Sequence, residues 1–201
     1  MYSIWVNDRL VPEDQAVVSV FDHGFLYGDG VYETLLARSG VILHLPAHLA
    51  RLKRSASLIG LRLPCDAARF KEIIYQSLDG NDLSEAYIRI MVSRGPGPIG
   101  IDPALCASPT LVVFVRPFVP YPDALYRRGV NVIIPSVRRN PRESINPEIK
   151  SLNFLNNILA KIEAKKKNAF DAVMLNIRGY VAEGTITNVF MVKKGVLMTP
   201  S

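Results

Sequence analysis

A lysine and a glutamate in the second half of this 201-residue chain carry the chemistry that its sequence suggests. Lys150 precedes an apolar pattern that predicts an amphipathic helix, and Glu183 follows a predicted strand in a turn rich in Gly and Thr. A lysine amine can form a Schiff base with an aldehyde, and a carboxylate can keep a pyridine nitrogen protonated so that the ring withdraws electrons. The pair therefore suggests pyridoxal phosphate chemistry, although most lysines and glutamates are solvated surface charges.

The residues around this pair narrow the interpretation. The stretches 148–156 and 180–199 resemble the class IV aminotransferases, the fold-type-IV pyridoxal phosphate enzymes that include branched-chain and D-amino-acid aminotransferases and aminodeoxychorismate lyase. The family signature is met by Glu183, Thr185, Asn188, Val189, Phe190, Leu197 and Thr199. The resemblance implies that Lys150 is the catalytic lysine and binds the cofactor, and that Glu183 and Thr187 also bind pyridoxal 5'-phosphate.

Motifs in the first half of the chain match the same family. The segment His48-Leu-Ala-Arg-Leu52 resembles the one whose arginine holds the cofactor phosphate, which places Arg51 in that role. An arginine suits it, because the planar guanidinium makes bidentate, charge-assisted hydrogen bonds to phosphate. The alternative is a surface charge on a helix that packs through its leucines. We interpret His48 as a structural residue and predict no metal site, because no second metal-type residue accompanies it.

Three further residues are candidates for binding substrate. Tyr32, in the glycine-rich segment 21–34, matches the aromatic position that borders the substrate side chain. Tyr87 and Arg89 match positions that contact the substrate carboxylate in branched-chain enzymes. Their i, i+2 spacing places both side chains on one face of a strand, so they can converge on one ligand. The alternative is a strand pair with an arginine that extends to solvent.

Within the family, the sequence favours a branched-chain amino acid aminotransferase that uses 2-oxoglutarate as the acceptor. Lys150-Ser-Leu-Asn153 and Gly100-Ile-Asp-Pro103 are closest to that type. D-amino-acid aminotransferases of this family usually bind the carboxylate with basic side chains in the corresponding loop. The loop 96–101 has none, which argues against that type but leaves it as an alternative. Aminodeoxychorismate lyase stays open as an alternative, because the segments 28–34 and 93–95 also suit it.

Composition indicates the partners that the protein does and does not have. The net charge is +6, but the basic residues are scattered and no aromatics interleave with them, so we predict no nucleic-acid partner. No apolar run reaches membrane-spanning length. The two cysteines lack metal-ligand spacing and disulfide density, which predicts a cytoplasmic protein. The glycine- and proline-rich loop 94–102 exposes two isoleucines that need cover, so we expect a homodimer.

The elements that must position these residues are a mixture of strands and helices, which predicts an α+β fold. The resemblance implies the two-domain fold-type-IV architecture, similar to D-amino-acid aminotransferase. We expect a small N-terminal domain over 1–117, a proline-rich linker over 118–127 and a cofactor-binding domain over 128–201. The first domain should hold two hairpins, around Asn7-Asp8 and Ser39-Gly40, and two helices, one entered at Pro46 and one capped by Asp66. The second should hold strands near 130–135, 172–176, 187–192 and 196–199 and a helix over 153–167.

The chain ends before the family signature does. Relatives continue for about a dozen residues past Ser201 into a helix entry whose backbone amides would take the other side of the phosphate. We therefore expect a C-terminal domain that is incomplete relative to the family. The alternative from another functional class is a fragment without catalytic activity that serves as a folding or binding unit.

Overall fold

A computed structural model describes residues 1–200 and divides the chain into two units. The first comprises Met1–Val119 and Glu148–Asn153, and the second comprises Pro120–Pro147 and the chain from Phe154 onward. Lys150, which the sequence placed in the range 128–201, therefore belongs to the first unit. Helices and mostly antiparallel strands occur in both units, which confirms the α+β prediction.

The first unit is built on a six-stranded antiparallel sheet in the order β2-β1-β6-β5-β3-β4. Its strands are β1 (Ser3–Val6), β2 (Arg9–Pro12), β3 (Gly30–Arg38), β4 (Val41–Ile42), β5 (Ala86–Ser93) and β6 (Thr110–Pro117). Both predicted hairpins form, since Asn7, Ser39 and Gly40 adopt the positive φ values that their turns need. The second hairpin's return strand ends at Ile42, shorter than the apolar run to Leu45 suggested, because Leu45 already begins a helix.

Three helices accompany this sheet: α1 (His23–Tyr27), α2 (Leu45–Leu58) and α3 (Ala67–Asp79). Asp66 caps α3 as predicted, because its side chain accepts a hydrogen bond from Arg69 N at 2.9 Å. Apolar residues of α2 and α3 share one core with alternate residues of the central strands, among them Leu35, Ile88 and Val113. One face of the sheet is therefore buried, and the other is left to half-buried side chains such as Tyr87 and Arg89.

The second unit is smaller and its core is thinner. It contains α4 (Asp123–Arg128), β7 (Val132–Ile133), α5 (Leu155–Lys166), β8 (Asp171–Leu175), β9 (Val181–Gly184), β10 (Met191–Lys193) and β11 (Val196–Met198). Strands β7, β8 and β9 form one sheet and β10 pairs with β11. Ala160 and Ala164 of α5 pack against Ala172 and Met174 of β8. The hairpin of β10 and β11 is exposed along its length.

Two sequence predictions in this unit were wrong. Glu183 lies on the strand β9, where Met174 of β8 is its partner, and not in a turn. The strand predicted over 187–192 begins only at Met191, because Thr187 closes a turn by accepting a hydrogen bond from Gly184 N at 2.7 Å. Helix α4 occupies part of the segment that we expected to be a linker.

Among residues 1–200, no helix combines the length and apolar character needed to cross a membrane.

Candidate active site

Lys150 lies in a short extended segment, 150–152, that runs along the free edge of β3. Tyr32 N donates to Lys150 O at 2.9 Å, and Leu152 N donates to Gly30 O at 2.9 Å. An isolated antiparallel bridge joins this segment to β3 between these two hydrogen bonds. The backbone of the candidate lysine is therefore fixed by the same strand that carries Tyr32.

Gly30 and Ser55 make this docking possible. A Cβ atom on Gly30 would lie 2.6 Å from Leu152 Cδ1 and 2.7 Å from the Val92 carbonyl oxygen, so any side chain there would displace the segment. Ser55 is fully buried on α2, and its Oγ accepts a hydrogen bond from Lys150 N at 3.1 Å. Sequence reasoning did not find Ser55, since a serine within an amphipathic helix has no distinguishing pattern.

The substrate candidates Tyr32, Tyr87 and Arg89 lie together with Lys150. The Tyr32 ring has Lys150 Nζ at 4.5 Å and Arg89 Cζ at 3.6 Å from its centroid, both within cation–π range. Thr34 connects Tyr87 with Arg89, because its Oγ1 accepts a hydrogen bond from Arg89 Nη1 at 3.3 Å and lies 3.5 Å from the Tyr87 hydroxyl. Burial raises the pKa of the Tyr32 phenol above its ordinary 10.0, although the Arg89 charge opposes the shift. The Tyr32 phenol is therefore neutral at physiological pH.

Arg51 is held by a carboxylate that the sequence analysis missed. Glu33 is completely buried, and its Oε1 accepts from Arg51 Nε at 2.5 Å while its Oε2 accepts from Arg51 Nη2 at 2.8 Å. His48 Nδ1 lies 2.8 Å from the same Oε2, which agrees with a structural role. Burial would raise the pKa of the Glu33 carboxyl, but hydrogen bonds from Arg51 and His48 outweigh it and hold that pKa below its ordinary 4.5.

This arrangement leaves one edge of Arg51 open to a ligand. The side chain is 41% exposed, and within residues 1–200 its Nη1 makes no hydrogen bond. The buried Glu33 carboxylate binds the edge of the guanidinium that carries Nε and Nη2, and the edge that carries Nη1 is available to a ligand. Glu33 itself escaped detection, because an acidic residue on a strand is usually solvated.

Glu183, in the second unit, pairs with an arginine. Its Oε1 accepts a short hydrogen bond from Arg139 Nε, and Arg139 Nη1 also donates to Asn156 Oδ1 at 3.2 Å. Within residues 1–200, Glu183 Oε2 accepts no hydrogen bond. The carboxylate therefore has a fixed orientation and a free oxygen. The sequence analysis assigned no role to Arg139.

The turn after Glu183 is also fixed by specific contacts. Thr185 is buried and donates to Asp171 Oδ1 at 2.6 Å, and its carbonyl oxygen accepts from Asn157 Nδ2 at 2.7 Å. A side chain on Gly184 would overlap Thr187 Oγ1, so this position needs glycine. Thr187, a candidate cofactor ligand, is thus held close to the backbone that follows Glu183.

Comparison with known proteins identifies the family. The model described as "Amino-transferase class IV" matches residues 30–201. A putative branched-chain-amino-acid aminotransferase of Methanocaldococcus jannaschii is 43% identical over 98% of this chain and 67% of its own length. The solved branched-chain aminotransferase of Thermoproteus uzoniensis with norvaline is 31% identical, with a TM-score of 0.90 over 99% of this chain and 68% of that one. The chain belongs to the class IV aminotransferases, and its fold is that of fold type IV.

Relatives with other activities are also similar to this chain. An aminodeoxychorismate lyase of Bacillus subtilis is 34% identical over 98% of the chain and 67% of its own length. A D-alanine aminotransferase of Bacillus licheniformis is 31% identical over 96% and 66%. The chain spans about two thirds of the length of these relatives, and 36% of the branched-chain-amino-acid aminotransferase-like protein 1 of Arabidopsis thaliana.

The cofactor of this family is pyridoxal 5'-phosphate, and the residues of this chain fit it. Another solved branched-chain amino acid aminotransferase, for which the TM-score is 0.93 at 29% identity over 98% of this chain and 67% of that one, contains pyridoxamine 5'-phosphate. In the first unit, the Lys150 amine and the open edge of Arg51 match an aldehyde and a phosphate. In the second unit, the Glu183 carboxylate oxygen that accepts no hydrogen bond matches a protonated ring nitrogen.

Proposed function

We propose that this protein transfers the amino group of leucine, isoleucine or valine to 2-oxoglutarate with pyridoxal 5'-phosphate. The observation that carries the proposal is the grouping of Lys150, Arg89 and Tyr32, which gathers an amine, a carboxylate-binding cation and an aromatic wall at one end of β3. The 43% identity with the Methanocaldococcus jannaschii protein supports the branched-chain preference.

In this proposal four side chains hold the cofactor, and one of them, Glu183, controls the protonation of its ring. Lys150 would bind the aldehyde carbon through its amine, and Arg51 would bind the phosphate through the open edge that Glu33 leaves it. Glu183 would accept a hydrogen bond from the ring nitrogen and, as a carboxylate, keep that nitrogen protonated. Thr187 would contribute a hydrogen bond from its hydroxyl. When bound, the cofactor withdraws electrons from the bond between the substrate α-carbon and its hydrogen.

The proton transfer falls to Lys150. Its amine would take the proton from the substrate α-carbon as a general base and, as a general acid, deliver it to the cofactor carbon that carried the aldehyde. Both transfers need a lysine whose backbone is held in place. Two backbone hydrogen bonds between the segment 150–152 and β3, and one from Lys150 N to the Ser55 hydroxyl on α2, hold it. Tyr87 and Arg89 would meanwhile be placed to contact carboxylate groups of the substrate, and Tyr32 would border its side chain.

We further propose a cytoplasmic homodimer. The segment 21–27 and the loop 96–101 are joined by hydrogen bonds, of which the His23 Nε2 contact with Pro98 O at 3.0 Å involves a buried imidazole. The joined segments expose Phe25, Ile99 and Ile101 at 74%, 80% and 86%, which is more apolar surface than a loop keeps without a partner. Both cysteines are unpaired thiols, as expected in a reducing compartment.

The assignment of Lys150 can be tested chemically. Borohydride reduction of the cofactor-loaded protein, followed by peptide mapping, should find the pyridoxyl group on Lys150. Lys150→Ala should abolish transamination, and Lys165→Ala, an exposed lysine at the end of α5, serves as the control that keeps it. A label on Lys161 or Lys165 would disprove the assignment.

Substrate preference needs a separate experiment. We expect turnover with L-leucine, L-isoleucine and L-valine when 2-oxoglutarate is the acceptor, and little with D-alanine or aminodeoxychorismate. Preference for D-alanine would support the D-amino-acid type, and release of pyruvate from aminodeoxychorismate would support the lyase. Relatives of these two types are 31% and 34% identical to this chain, so D-alanine and aminodeoxychorismate belong in the same assay.

A further inference from the structure

Thr34 lies among the candidate substrate-binding residues Tyr32, Tyr87 and Arg89, but the proposed function gives it no role. It lies directly opposite Arg89 in the register of β3 and β5, so their side chains share one face of the sheet. Its Oγ1 accepts from Arg89 Nη1 at 3.3 Å and lies 3.5 Å from the Tyr87 hydroxyl. One hydroxyl therefore contacts both of the residues that are expected to meet a substrate carboxylate.

The Arg89 guanidinium is constrained by two contacts. Its Cζ is 3.6 Å from the Tyr32 ring centroid, a van der Waals distance that fixes how far the guanidinium stands from the ring. Stacking leaves rotation about the ring normal free, and the hydrogen bond to Thr34 stops that rotation. Within residues 1–200 Arg89 has no carboxylate within 4 Å and no other hydrogen-bond acceptor, so most of its donors are available to a ligand.

We propose that Thr34 is a positioning residue that directs Arg89 towards the second carboxylate of a dicarboxylate substrate. The inference rests on the proposed function, in which one pocket must accept both an apolar branched side chain and the charged side chain of glutamate or 2-oxoglutarate. Burying a carboxylate is unfavourable unless a cation and hydrogen bonds compensate it. The α-carboxylate is common to all these substrates, so only the second carboxylate lets Thr34 affect their relative binding.

The test compares Thr34→Val with Thr34→Ser in the cofactor-loaded protein. Valine keeps the branched shape and removes the hydroxyl, whereas serine keeps the hydroxyl. With Thr34→Val we expect the ratio of kcat/KM for 2-oxoglutarate to kcat/KM for 4-methyl-2-oxopentanoate to fall about tenfold, mainly through KM, because one hydrogen bond to a charged group is lost. Thr34→Ser should restore most of the ratio. Equal losses for both substrates would overturn the proposal, as would a serine variant that behaves like valine.

A binding measurement separates this inference from the proposed function. Calorimetric titration with glutarate, a dicarboxylate, and 4-methylvalerate, a monocarboxylate, needs no turnover. Thr34→Val should weaken glutarate about tenfold relative to 4-methylvalerate. If the wild-type protein binds no glutarate, the proposal fails even where transamination is observed. If it binds glutarate with the expected dependence on Thr34 but does not transaminate, the proposed function fails and this inference stands.

A double-mutant cycle shows whether Thr34 acts through Arg89. In the Arg89→Ala background, Thr34→Val should change glutarate affinity by less than about twofold, since the group it positions is gone. A full tenfold effect in that background would mean that Thr34 contacts the ligand or the fold independently, and the positioning role would be wrong. Thermal unfolding of each variant confirms that the comparison is made on folded protein.

Discussion

The two oxygens of the Glu183 carboxylate differ in their contacts. One oxygen accepts from Arg139, which fixes its direction, and the other makes no hydrogen bond within the part of the chain that the structure describes. An acidic residue oriented in this way holds a nearby protonated nitrogen by charge as well as by hydrogen bonding. A neutral amide in the same place retains only the weaker of these two interactions.

Glu183→Gln should therefore keep the cofactor and lose most of its turnover, by about a hundredfold, because the electrostatic partner of the ring nitrogen is removed. Cofactor content follows from absorbance, and kcat from leucine transamination. Glu163→Gln provides a matched control in the same unit, where Glu163 accepts hydrogen bonds from Ser136 and Lys167 and has no proposed role in the site. If Glu183→Gln turns over at the wild-type rate, Glu183 has no part in the chemistry.

The ion pair of Glu33 and Arg51 should make the stability of the fold depend on pH. The pKa of Glu33 in the folded protein lies below 4.5, so its ion pair with Arg51 stabilises the fold fully above pH 4.5 and loses this effect as pH falls through the folded value. Glu33→Gln should be less stable than wild type by about 2 kcal/mol near neutral pH, a value reduced because Arg51 is partly exposed. Urea unfolding over a pH series measures the difference, which should shrink towards zero in acid. A difference that does not vary with pH would contradict the ion-pair account.

At the scale of elements, the edge of β3 determines where the candidate lysine lies. Gly30→Ala should destabilise the protein by about 1 to 3 kcal/mol, because the added methyl group overlaps Leu152 and the backbone of β5. It should also weaken cofactor binding, since the segment 150–152 is displaced. Gly40→Ala is the control: its Cβ meets nothing within 4 Å, so it costs only its positive φ and should leave cofactor affinity unchanged. Equal cofactor affinity in the two variants would show that this edge does not position Lys150.

Elements with a strong local signal could be predicted from the sequence, and those that depend on distant partners could not. Asn7-Asp8 and Ser39-Gly40 mark their hairpins, and Asp66 marks the start of α3, because turn and cap chemistry is local. Strand β9 carries an acidic residue and little apolar alternation, and it exists through its pairing with β8. The segment 150–152 has no strand pattern either, and its conformation comes from β3.

The same distinction applies to the candidate site. The residues that would touch a cofactor or a substrate were found through the family resemblance, and the structure groups Tyr32, Tyr87, Arg89 and Lys150. The residues that orient them were missed, namely Glu33, Thr34, Ser55 and Arg139. None of these four residues is of a type that is unusual where it lies in the chain. The role of each depends on a contact with a residue distant in the sequence.

At the scale of the whole molecule, the exposed apolar surface of segments 21–27 and 96–101 predicts self-association. Sedimentation at micromolar concentration should give a dimer. Replacing both Ile99 and Ile101 with aspartate should give a monomer, because charges cannot be buried without partners. Val41→Asp, at an exposed residue of the second hairpin, should not change the sedimentation coefficient. A wild-type protein that sediments as a monomer would rule out the proposed dimer.

The docking of residues 150–152 on β3 has a consequence for how the protein is made. During translation, every strand of the six-stranded sheet is synthesised before Lys150, so the sheet can begin to form while the edge of β3 at Gly30 and Val31 is still unpaired. The chain must then place residues 120–147 in the other unit and return to close that edge. We expect the segment 150–152 to dock on β3 after the six-stranded sheet has formed, so that the sheet of a nascent chain is in place before Lys150 is.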